Sequence, residues 1–155
     1  MKKQKGFSLI ELLIVVAIIL IIAAIAIPNL MKSRMAANES SAVGSVRTIN
    51  TGEVTYSASC PNVGFSGSLA ELNTGATCAG GTGIIDNVLA TGTKSGYAFT
   101  YTPVAANGLN TTYTTTAVPL TVGTTGQRGF FSDQTGVIRY TLDGSAPTVA
   151  SSALQ

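Results

Sequence analysis

A single carboxylate, Glu11, interrupts an apolar stretch from Phe7 to Ile27 in which the only other polar side chain is Ser8. Near the centre of a lipid-embedded helix such a group costs about 2.5–3.5 kcal/mol by insertion scales. Close to one end it either snorkels to the headgroups or meets a cation brought to it. Other reactive residue types are sparse. The chain has no histidine, so it has no ordinary hydrolase triad. Its thiols, Cys60 and Cys78, have no C-x-x-C, haem-attachment or zinc-ligand spacing. Asp86, Asp133 and Asp143 are scattered, whereas a calcium site needs several convergent oxygens. Gly80-Gly81-Thr82-Gly83 lacks the Lys-Ser/Thr and the strand–helix frame of a phosphate loop. Asn38-Glu39-Ser40 and Asn110-Thr111-Thr112 fit the N-glycosylation pattern, which a Thr-rich chain meets by chance. These residues predict no enzyme, no metal and no cofactor.

The elements that carry Glu11 are unevenly built. Hydrophobic residues make up 45% of the 155 and charged ones only 10%, with the apolar excess gathered at one end. Lys2, Lys3 and Lys5 precede the apolar run and account for the net charge of +2. Lysines on the short side of a membrane helix hold that side in the cytoplasm. No basic patch remains, so direct nucleic-acid binding is not indicated. Phe7 to Ile27 would form a helix of roughly 30 Å, the thickness of a bilayer hydrocarbon core.

Three readings fit such a segment. A secretory signal peptide would end at the small residues of Ala24-Ile25-Ala26, but the apolar stretch is long for one and contains Glu11. An uncleaved signal anchor explains the length and the lysines but gives Gly6 and Glu11 no role. The third rests on the run Lys5-Gly6-Phe7-Ser8-Leu9-Ile10-Glu11-Leu12-Leu13-Ile14-Val15, continuing through Ala23-Ala24-Ile25-Ala26-Ile27-Pro28. This run resembles the class III signal of type IV pilins and pseudopilins, of the type IVa major pilin kind. Leu20 departs from it, since many members carry glycine there.

The resemblance implies that residues 1–6 are a leader, cut after Gly6 on the cytoplasmic side by a prepilin peptidase that then methylates Phe7. It implies a single-pass inner-membrane precursor that meets an assembly platform and polymerises with copies of itself into an extracellular filament. The cut frees an amine on Phe7, positive near neutral pH. Glu11 of an adjoining copy would supply the countercharge, and such buried polar pairs act as register devices. Adhesion, twitching motility and DNA uptake are the roles of such fibres. A type II secretion pseudopilin and a membrane-tethered binding module are the alternative functions.

Beyond the run, Pro28 is expected to kink or locally break the helix, which then resumes. Met31, Met35, Ala42, Val46, Ile49 and Tyr56 form one apolar stripe, predicting a continuous helix to about residue 58. Lys32, Arg34, Glu39, Arg47 and Glu53 are expected largely on the solvated face. Residues 7–28 are thus the apolar half and 29–58 the amphipathic continuation. Without an aromatic residue between Phe7 and Tyr56, the helix has no chain of rings to carry electrons.

Residues 59–96 read as a connecting loop rich in glycine, with a capping box at Ser68-Leu69-Ala70-Glu71 starting a short helix. Cys60 and Cys78 enclose 17 residues. Across the membrane, thiols can oxidise, and a disulfide closing this loop would contribute about 3 kcal/mol; two free thiols are the alternative. Within 97–155, Tyr97, Phe99 and Tyr101 alternate with smaller residues, Thr111 to Val118 is a second strand, and Asp133-Gln134-Thr135-Gly136 is a hairpin turn between two more. The expected fold class is α+β, the long helix packing on a small antiparallel sheet of three to four strands. The stretch 125–139 also resembles the C-terminal halves of some pilin-like proteins.

Overall fold

The computed structural model describes residues 6–75 and 83–154. They fall into two compact units, one ending at Arg34 and one beginning at Met35. Helix α1 (Leu9–Ser59) forms the first unit and opens the second. The helix runs on through Pro28. Pro28 has no N–H to give to the preceding turn, and beside it Asn29 Nδ2 donates to the Ile25 carbonyl at 3.1 Å.

In the second unit α1 is followed by α2 (Leu69–Thr74), α3 (Asn87–Ala90) and six strands. These are β1 (Thr93–Lys94), β2 (Tyr97–Ala106), β3 (Leu109–Pro119), β4 (Gly129–Asp133), β5 (Arg139–Thr141) and β6 (Ser152–Ala153). They pair antiparallel in chain order. The α+β class is as expected, but the sheet has six strands, not three or four. The additional edge strands, β1 and β6, have two residues each, too few to show a period-2 pattern.

The connection after α1 is also more structured than a loop. Ser68 caps α2 as expected, its Oγ accepting from Glu71 N–H at 3.2 Å. Helix α3 was not foreseen; its cap is Asp86, which accepts from Leu89 N–H at 2.8 Å and pairs with Lys94. Cys78 and Gly80-Gly81-Thr82 lie outside the described residues.

From Ala42 onward the expected stripe on α1 makes the core, whereas Met31 is exposed and Met35 only half-buried. Ala42, Val46, Ile49 and Tyr56 are fully buried against Leu72, Leu89, Tyr97, Phe99 and Phe130. The solvated face expected of the charged residues is corrected at two positions: Glu39 and Glu53 are buried, while Lys32, Arg34 and Arg47 are exposed. Steps of seven place Glu39, Val46 and Glu53 in one column beside Ala42, Ile49 and Tyr56, so the two glutamates belong to the packed face. Each keeps its polar atoms satisfied by bonds to the domain. Glu39 reaches Gln127 and Arg128, and Glu53 reaches Ser66. Gly52 sits on the same face, where a Cβ would stand 3.2 Å from Ile84 Cγ2; its bareness lets residues 84–85 close on the helix.

Candidate assembly segment

Helix α1 begins with a reciprocal cap. Ile10 N–H donates to Ser8 Oγ at 3.4 Å, and Ser8 N–H donates to Glu11 Oε2 at 2.9 Å. This is a capping box, the N-cap hydroxyl reaching forward and the glutamate three residues on reaching back. The apolar run masks this partner for Glu11 within its own chain, although Ser8-Leu9-Ile10-Glu11 has the same form as Ser68-Leu69-Ala70-Glu71. Gly6 and Phe7 precede the helix and are exposed, with 82% of Phe7 accessible. Gly6, Phe7 and Glu11 thus share one end of the first unit.

Along the first unit's part of the helix the large apolar side chains are exposed. The large hydrophobic residues from Leu9 to Leu30 are between 46% and 80% exposed. Burying one such side chain stabilises by about 1.5–3 kcal/mol relative to leaving it in water. A continuous sleeve of them is therefore untenable in water alone. The helix is long and apolar enough to cross a membrane. A core helix of a soluble protein passes the same length test, but it would be mostly buried, and none of this span is. Leu, Ile, Val and Ala on all sides suit lipid or the matching helices of other copies equally. Between Leu9 and Ile27 the described polar side chain is Glu11, which bonds at the Ser8 end of the helix.

The other residues singled out from sequence do not join this end. Pro28 lies far along the helix, and Cys60 is a buried residue of the second unit. Among the described residues no three His, Cys, Asp or Glu side chains gather to hold a metal.

Residues 1–27 match the prokaryotic N-terminal methylation motif. The chain is similar to the type IV wide pilus major component of Thermus thermophilus, 62% identical over 39 residues, covering 25% of this chain and 30% of that protein. It is 44% identical over 54 residues to the type IV major pilin of Myxococcus xanthus, covering 35% and 24% of the two chains. A fimbrial protein of Pseudomonas aeruginosa is 53% identical over 51 residues, 33% of each chain. The matches span a third or less of these relatives' lengths. No solved structure matches the chain.

Proposed function

We propose that this chain is the structural subunit of a type IV pilus rather than an enzyme. It is inserted once through the inner membrane with its N-terminus in the cytoplasm, cleaved after Gly6 and methylated on Phe7. It is then polymerised through α1 into a surface filament, the α+β unit being presented outside. The observation that carries this reading is the membrane-length apolar first half of α1, unburied, which starts inside a methylation motif. The similarity to pilus components in three bacteria supports it.

Processing and polymerisation follow from the physics of that segment. Lipid satisfies the sleeve of Leu, Ile and Val as well as another helix does, so exchange between membrane and filament involves little change in apolar burial. Removal of the leader leaves an amine on Phe7 whose charge is unfavourable in a greasy environment. Glu11 of a neighbouring copy neutralises it and thereby sets the axial stagger. The prepilin peptidase and an inner-membrane assembly platform are the partners this route requires.

Intact-mass and N-terminal analysis of the protein from its native cells tests the reading. An N-methylated Phe7 start supports it. A start at Ile27 means secretion after a cleaved signal peptide, and an intact Met1 means a tethered single-pass protein. Imaging of long surface fibres separates a pilus from a periplasmic secretion pseudopilus.

A further inference from the structure

Past the end of β3 the chain turns through Leu120-Thr121-Val122-Gly123-Thr124-Thr125-Gly126, a stretch without a charge. Residues 120–124 are all exposed, Leu120 by 59% and Val122 by 49%. The turn bonds largely to itself. Thr124 and Thr125 N–H donate to the Thr121 carbonyl at 3.1 and 2.9 Å, and Gly123 N–H donates to the Gly126 carbonyl at 2.9 Å. Thr121 N–H donates to Thr125 Oγ1 at 3.1 Å, and Leu120 N–H to the Gly96 carbonyl at 2.9 Å. Backbone groups paired in this way need no water, so the turn can present apolar side chains to a surface that offers few hydrogen bonds. Leu142, 69% exposed, adds a third side chain from the neighbouring segment. Its carbonyl accepts from Gln127 Nε2 at 3.3 Å. Two residues on, Gly144 is bare where Val122 lies over it, a Cβ there standing 2.6 Å from Val122 Cγ2. Other exposed valines of the unit, Val54, Val88 and Val104, lie on three separate elements, α1, α3 and β2.

The position of the turn decides what it meets. Strand β3 runs against α1. Within the strand the Tyr113 hydroxyl donates to Asn50 Oδ1 at 3.0 Å, and beyond its end Asn38 Nδ2 donates to the Thr125 carbonyl at 2.8 Å. The turn therefore lies at the end of the second unit where α1 enters it. Asn38 follows Arg34 by four positions, about one turn of helix. Lys32 and Arg34 are exposed and follow the apolar run, the place at which cations of a membrane helix reach the headgroups. Asp143, between Leu142 and Gly144, turns its carboxylate to Ser145 N–H and Oγ at 3.0 and 2.6 Å.

We propose that Leu120, Val122 and Leu142 form a second membrane contact, an apolar tip resting among the lipid headgroups while α1 holds the subunit in the bilayer. The inference rests on the reading of the first half of α1 as a membrane span. Three side chains would not hold a free domain on lipid. Tethered by α1, the same contact is intramolecular in effect, and a small apolar area suffices. Lipid is favoured over another copy as the occupant, because every inserted subunit presents the turn beside the emerging span, with or without neighbours.

The chain has no tryptophan, so one introduced at a time reports its own surroundings. Full-length Leu120→Trp, Ile25→Trp and Val104→Trp are placed, one copy per disc, in nanodiscs of phosphatidylethanolamine and phosphatidylglycerol. Each is compared with and without acyl chains brominated close to the headgroup, which quench a ring only at lipid depth. Ile25→Trp tests the span, and Val104→Trp, towards the other end of β2, is the water-exposed reference. Leu120→Trp is expected to be quenched with Ile25→Trp, severalfold more than Val104→Trp. In the unsubstituted protein, a paramagnetic agent confined to lipid should broaden the methyl NMR signals of Leu120, Val122 and Leu142 and spare those of Val104. A quenched Ile25→Trp beside an unquenched Leu120→Trp, or Leu120 and Val122 methyls as sharp as those of Val104, would overturn the tip and leave the span. A Leu120→Trp shielded only once subunits assemble would overturn it too, assigning the turn to a neighbouring copy. An unquenched Ile25→Trp would remove the span and the tip with it.

Discussion

Glu39 and Arg128 meet side by side although 89 positions separate them, Arg128 Nε donating to Glu39 Oε2 at 2.7 Å. The other carboxylate oxygen accepts from Gln127 N–H at 2.8 Å and Arg128 N–H at 3.1 Å. One side chain of α1 thus ties down the turn that leads into β4. The Arg128 guanidinium continues the contact, lying 5.6 Å from the centre of the Phe130 ring and 6.0 Å from that of Tyr140.

This tie gives the domain an acid limb. Burial pushes the Glu39 carboxyl up, but the Gln127 N–H, the Arg128 side chain and the Arg128 N–H together bring it below its ordinary value. Stability from a depressed carboxyl is present above its unfolded value and lost as pH falls through its folded value. Glu39→Gln is expected to flatten the loss of stability on acidification, followed by urea denaturation at a series of pH values. Glu39→Ala leaves two backbone N–H groups without their acceptor and should cost about 1–3 kcal/mol at neutral pH. The ion pair itself adds little to that figure, because the Arg128 side chain is 37% exposed and its charge is screened.

A second prediction concerns a hydroxyl with nothing to bond. Thr115 is fully buried in the middle of β3, opposite Tyr101 on β2 and Ser132 on β4. Among the described residues its Oγ1 is the buried side-chain polar atom without a partner. Leaving a buried hydroxyl unsatisfied costs about 1–3 kcal/mol, and valine has nearly the same shape without it. Thr115→Val should therefore raise the melting temperature, whereas most substitutions at a buried position lower it.

The residues most easily read from sequence were those whose pattern extends over many positions. The apolar run and the stripe of Ala42, Val46, Ile49 and Tyr56 repeat often enough to define α1, and the Tyr97-Phe99-Tyr101 alternation defines the start of β2. Glu39 and Glu53 read as solvent-facing from their type, although their spacing from Val46 places them on the packed face. Burial of a carboxylate depends on donors that arrive from Gln127, Arg128 and Ser66, which no local pattern reveals. Asn107-Gly108 is different, because a signal was present and unused. Both residues have positive φ, 53° and 80°, as a two-residue turn between β2 and β3 requires, and Asn-Gly is the favoured pair for it. Reading that turn extends the second strand back from Thr111 to Leu109. At the assembly segment, the Ser8–Glu11 cap was legible by the same rule that found the cap at Ser68.

The cysteines yield a prediction about coupling. Cys60 is 1% exposed, and its N–H donates to the Tyr56 carbonyl at 2.8 Å, extending the last turn of α1. If oxidation joins it to Cys78, removing either partner loses the same restriction of the unfolded chain, about 3 kcal/mol for a loop of this size. Cys78→Ser leaves the core position intact and should lower stability by about that amount. Adding Cys60→Ser should then lower it further only by the cost of a hydroxyl in the core. Melting curves of the variants, together with intact masses with and without reductant, check the expectation; independent thiols would leave the wild type insensitive to reductant.

Glu11 has two possible uses that substitutions can separate. Within one chain its carboxylate accepts from Ser8 N–H and closes the cap of α1. Between copies it would neutralise the amine freed on Phe7. Glutamine at the third helical position still serves a capping box, whereas alanine does not. Glu11→Gln should therefore keep the helix start while removing the countercharge, and Glu11→Ala should lose both. Both proteins are expected to be inserted and cleaved after Gly6. Filament yield, measured as sheared protein against the membrane pool, should fall at least about 100-fold in each, since an unpaired buried charge costs about 3–5 kcal/mol. Should Glu11→Gln assemble as the wild type does while Glu11→Ala fails, Glu11 serves the cap of its own helix, and the register between copies is set by shape alone.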